Sequence, residues 1–116
     1  MSYSKSEINK LIATLPKGKS SAINAPDLAM KLGYSSLPNQ EELRAVIRFA
    51  IDSGFLIGSG KSGYWLIDSI EEINEVLDSL ESRAQGVCDR RNKLLESWNN
   101  SNPKKQSVKL HLNLKP

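Results

Sequence analysis

Between residues 58 and 63 the chain reads Gly58-Ser59-Gly60-Lys61-Ser62-Gly63, a composition able to cradle a phosphate. The string fits G-x-G-x-x-G, and Gly60-Lys61-Ser62 fits the end of a P-loop. Both motifs hold phosphate by opening a helix whose first amides and dipole face the anion. Here the flanks are Phe55-Leu56-Ile57 and Tyr64-Trp65-Leu66-Ile67, aromatic and β-branched on both sides. That is a hairpin signal, with strands expected over 55–58 and 64–67 and a turn over 59–63. A P-loop would also need glycine at the position of Phe55. What remains is a hairpin tip that can lie close to a phosphodiester backbone, with Lys61 and Ser62 at hand.

The helical pattern just before it offers the second group. With Leu43, Val46, Ile47 and Ile51 on the core side, Gln40, Arg44 and Arg48 share another face at i, i+4 spacing. Arginine and glutamine match base edges in the major groove. Glu41 and Glu42 suit the helix dipole but repel phosphates. Arg44 and Arg48 also have Glu41 and Asp52 within reach as ordinary surface partners.

Catalysis has little to stand on. His111, the only histidine, lies in the C-terminal tail, and Cys88, the only cysteine, lies on a helix. No His, Cys, Asp and Glu set has metal-ligand spacing. No enzyme, metal or cofactor is expected.

These residues need elements to position them. Ser4 with Glu7 forms a capping box, and Ile8, Leu11, Ile12 and Leu15 give a first helix one apolar face. Pro16 and Gly18 stop it, and Lys19–Asn24 reads as a short segment extended around Ile23. Pro26 opens a second helix that ends at Gly33. After the turn at residues 34–38, Asn39 with Glu42 makes a capping pair for the third helix, which ends at Ser53-Gly54.

The last helix starts at Asp68 or Ser69 and runs to about Asn100. Ile70, Ile73, Leu77, Leu80, Ala84, Val87, Arg91, Leu94 and Trp98 follow in unbroken steps of three and four. That is an a/d seam over four heptads, with Arg91 its one charged member. A helix of this length spans ~50 Å, more than a small head covers, so a homodimer through Ile73–Trp98 is expected. Beyond Pro103, Val108, Leu110, Leu112 and Leu114 alternate with polar residues as in a strand. An isolated strand is unstable, so the tail is expected to be disordered, dispensable for folding and dimerisation, or added to a sheet edge of a partner protein or second copy.

The 116 residues fit one modest domain, and the net charge is +3. Residues 1–67 hold eight basic and five acidic side chains, residues 68–100 four and eight, and residues 101–116 four lysines and no acid. With no secretory signal, no ~20-residue apolar run and one cysteine, a cytoplasmic location is expected.

Helix, short strand, helix, turn, helix, hairpin is the order of a winged helix-turn-helix, and LRAVIRFAIDSGFLIGSGKSGYWLI resembles that superfamily. With the long helix added, the chain resembles PadR-like regulators and replication terminator proteins of bacteria and phages. The stretch LESRAQGVCDRRNKLLESWN is similar to the closing helix of small phage-encoded winged-helix proteins. The wing departs from PadR-like regulators in lacking basic residues on its return strand. The resemblance implies an α+β, mainly α fold: a winged-helix domain over 1–67, a dimerisation helix over 68–100 and a basic tail over 101–116. It implies a dimeric double-stranded-DNA-binding protein, as transcriptional regulator or phage or plasmid replication factor. The alternative is a winged-helix adaptor for proteins, scaffolded by the coiled coil.

Overall fold

The computed structural model describes residues 3–35 and 40–114. It is α+β and mainly helical, with four α-helices and one two-stranded antiparallel hairpin among the described residues. The chain divides into two compact units, Met1–Val76 and Leu77–Pro116.

In the first unit, α1 (Lys5–Thr14) opens on the expected capping box: Glu7 N–H donates to Ser4 Oγ at 3.1 Å, and Ser4 N–H to Glu7 Oε1 at 3.4 Å. A single 3₁₀ turn covers Lys19–Ser21. Asn24 caps α2 (Ala25–Leu32), and Gly33 ends it in the left-handed conformation at φ 78°. Residues 36–39 lie outside the described residues, and with them the proposed Asn39 cap. Gln40 holds the N-cap position of α3 (Glu41–Asp52) at φ 51°.

Leu11, Leu28, Leu43 and Val46 are fully buried and centre the core that α1, α2 and α3 share. One expected core residue is not there. The core stops at Ala50 and the chain turns at Ser53-Gly54, which leaves Ile51 47% exposed.

The hairpin is displaced from its expected limits. Strands β1 (Ile57–Gly60) and β2 (Gly63–Leu66) pair Gly58 with Trp65 and Gly60 with Gly63, so the turn is only Lys61-Ser62. All three glycines of the 58–63 stretch are ladder residues. At Gly58 an added Cβ would lie 2.5 Å from the Trp65 ring, so the missing side chain makes room for the indole. Ile23 is extended, as expected, and exchanges both backbone hydrogen bonds with Tyr64 at 2.8 and 2.9 Å.

The last helix, α4 (Ile70–Ser101), has its first seven residues, about two turns, inside the first unit. Ser69 caps it, accepting from Glu72 N–H at 3.2 Å. The Glu72 carboxylate in turn accepts from Lys19 N–H (3.0 Å) and Asp68 N–H (3.3 Å), while Lys19 Nζ pairs with Glu75.

The second unit is the rest of α4 with the tail. Here the tail, expected to be disordered or to add to a sheet edge of a partner, is described as far as Leu114. Residues 102–114 turn at Asn102 and run back along the helix as extended chain, held by helix side chains rather than by a ladder. Trp98 Nε1–H donates to Lys105 O (3.0 Å), Ser107 N–H to Asn99 Oδ1 (2.8 Å), and Arg91 Nη1–H to Leu110 O (2.9 Å). The physical reason is the set of donors and acceptors on the helix. Asn92, Asn99, Arg91 and Trp98 offer an extended backbone the partners that a strand would take from a sheet.

Candidate nucleic-acid interface

Arg44 and Arg48 follow from the packing of α3. Burial of Leu43, Val46, Ile47 and Ala50 fixes one face on the core, and the i, i+4 pair then stands exposed on another. Neither arginine is in an ion pair among the described residues, although Glu41 and Asp52 lie on the same helix. Glu42 is turned back toward Ser35, whose N–H donates to its Oε1 at 3.4 Å, while Glu41 stays exposed. Gln40 is half-buried at the helix start, and its carbonyl accepts from Arg44 N–H at 2.9 Å.

Lys61 and Ser62 form the two-residue hairpin turn, and both are exposed. The tip is anchored from below. Trp65, 2% exposed, fills the space over Gly58, and Gly63 presses against the Ile23 backbone. No hydrogen bond or ion pair links Arg44 or Arg48 to the hairpin among the described residues.

Two titrating groups of this unit depart from their ordinary values. Glu72 is held below the usual glutamate range, first by the Lys19 amide, which outweighs the opposing effect of desolvation, and then by Asp68. The buried Trp65 Nε1–H makes no hydrogen bond of ordinary geometry, yet lies near enough to Glu72 to favour its charge. Burial, then the negative charge of Glu7, pushes the Tyr34 hydroxyl up. Among the described residues no group of three His, Cys, Asp or Glu could hold a metal ion, and no helix is long and apolar enough to cross a membrane.

Along α4, Leu77, Leu80, Val87, Leu94 and Trp98 are 48–67% exposed. A second stripe escaped the sequence reading. Gln85, Cys88, Asn92, Leu95 and Asn99 follow in the same steps of three and four, about a quarter-turn from the seam, and all are half-buried or buried. Asn92 and Asn99 bind the tail, which also reaches the seam residues Arg91 and Trp98 but leaves Leu77, Leu80, Val87 and Leu94 exposed. The shared spacing was a visible signal, masked because two asparagines and a glutamine read as solvated surface.

Compared with known proteins, the chain matches no family model, no curated protein and no solved structure.

Proposed function

We propose that the protein binds double-stranded DNA as a homodimer, with its first unit acting as a winged helix-turn-helix head. The observation that carries this reading is the pair Arg44 and Arg48. They are exposed, without an ion-pair partner among the described residues, and one helical turn apart on a helix whose opposite face is locked into the core. In the major groove their forked donors match guanine edges. Lys61 and Ser62, on a turn with no bulky side chain, suit contact with phosphate. The open seam of α4 supports the dimer, because apolar side chains at heptad spacing gain by packing against a second helix. Regulator or replication factor, bacterial or phage, are roles compatible with this reading.

Anisotropy titration of mixed-sequence duplex DNA tests it. Affinity should fall steeply with salt as neutralised phosphates release counterions. Arg44→Ala/Arg48→Ala/Lys61→Ala should weaken binding at least tenfold with the fold intact. An unchanged titration at low salt would overturn the reading.

One observation favours the adaptor reading instead. Ile51, Phe55 and Leu56, at the exit of α3, are 37–60% exposed, an apolar patch on which a protein rather than DNA would settle. Lost partner capture on Ile51→Ser/Leu56→Ser, with DNA binding absent, would decide for it.

A further inference from the structure

Beside the docked tail, Arg91, Leu94, Leu95 and Trp98 line a groove of about 380 Å³ whose outer wall is Ser107 and Lys109 of the tail. The four helix residues stand at i, i+3, i+4 and i+7, the diamond that receives one side-chain knob in coiled-coil packing. Arg91 occupies a seam position, where a guanidinium would oppose close packing of apolar side chains. Its Nη1 is instead engaged sideways, donating to Leu110 O at 2.9 Å and to Asn92 Oδ1 at 2.7 Å. The tail thus supplies the acceptor that takes this charge off the seam.

We infer that the tail completes the dimer site: a second copy of this chain seats a leucine-sized knob in the Arg91, Leu94, Leu95, Trp98 hole, and the tail keeps that hole open by holding Arg91. The inference rests on the homodimer of the proposed function and deepens it. The occupant follows from the surface itself. The hole belongs to the same unbroken heptad seam that supplies leucine knobs at Leu77, Leu80 and Leu94, so the face complements a copy of itself. The hole is open to receive it: Leu94 is 67% and Trp98 51% exposed. A tail without a dimer role would not need to turn its apolar side chains outward while spending its backbone on the helix.

The test is a cycle on the whole chain, read as dimer dissociation constants by sedimentation equilibrium. Truncation after Asn102 should weaken the dimer at least tenfold, because Arg91 loses the Leu110 carbonyl. Arg91→Leu should then strengthen the truncated dimer several-fold more than it strengthens the full-length one, since only there is the charge unheld. Should the truncated chain lose helix by circular dichroism, full-length Asn92→Ala/Asn99→Ala releases the tail without removing it, and the same tenfold weakening is expected. Equal dimer affinity with and without a held tail, or equal gains from Arg91→Leu in both backgrounds, overturns the inference. A wild-type chain that is monomeric at 100 micromolar overturns both it and the dimer. A chain that shows the expected cycle but does not bind DNA overturns the DNA reading and leaves the role of the tail supported.

Discussion

The Asn92 carboxamide grips Leu112 by both backbone groups: Nδ2–H donates to the Leu112 carbonyl at 2.7 Å, and Oδ1 accepts from the Leu112 amide at 3.0 Å. No apolar side chain of the tail is itself buried, so this clamp and its neighbours hold the segment in place. Cys88 lies one turn before Asn92 and is 6% exposed. The Asn92–Leu112 clamp sits one helical turn along the same stripe, so the thiol is a reporter for docking of the tail.

Asn92→Ala should therefore raise the rate of Cys88 modification by a thiol reagent roughly tenfold or more. Two hydrogen bonds worth ~1 kcal/mol each are lost. Asn99→Ala, which removes a single bond to Ser107, should have a smaller effect. Equal rates in wild type and Asn92→Ala would show that the clamp does not secure the tail.

Gly63 and Gly54 make a paired test of the hairpin. Both have positive φ, 114° and 103°, but only at Gly63 would a Cβ overlap backbone, the Ile23 carbonyl. Gly54→Ala should cost about 1 kcal/mol for the backbone conformation alone. Gly63→Ala should cost more than ~2 kcal/mol, because the Ile23–Tyr64 pairing must also shift. Denaturant midpoints with unchanged slopes would measure both, and equal midpoints would contradict the packing described.

How far all this was readable from the sequence depends on which atoms make the contacts. The Ser4–Glu7 box, the Gly33 cap and the faces of α1 and α3 were legible because side-chain type and spacing determine them. The exposure of Arg44 and Arg48 followed from that same periodicity, and so did the open seam of α4. Ile51 was misplaced because periodicity gives a direction but not where the core ends. The hairpin was misregistered because glycines look like turn residues, whereas Gly60 and Gly63 here pair with each other in the ladder. The tail and the Lys19–Glu72 contact were hidden for a shared reason. Their contacts run through backbone groups, which every residue carries alike.

The Lys19–Glu72 contact predicts a pH dependence. The folded state lowers the Glu72 carboxyl below its ordinary value, with the Lys19 amide as first cause. A depressed carboxylate contributes stability that is fully present above the unfolded-state value and is lost as pH falls through the folded one. Glu72→Gln should therefore lower stability at neutral pH and flatten its decline in the acid range below the usual glutamate value. Thermal melts of both proteins from pH 7 down to pH 3 would check this. Parallel curves across that range would mean that Glu72 does not anchor the start of α4.

Leu80→Arg isolates the dimer from the fold. Leu80 is 50% exposed in the single chain, so a longer, charged side chain there meets solvent and costs the protomer little. In a paired helix the same position is mid-seam. Burying an arginine against a partner leucine forfeits the ~1.5–3 kcal/mol of a buried leucine on each chain and adds the desolvation of a charge. Two copies of that change, one from each chain, should raise the dissociation constant by at least a hundredfold. Light scattering should then report a monomer, while circular dichroism and the melting of the first unit stay those of wild type. Binding to a duplex with two half-sites should fall with it, and any remaining affinity should match that of one head. A Leu80→Arg chain that stays dimeric would place the second copy somewhere other than the α4 seam.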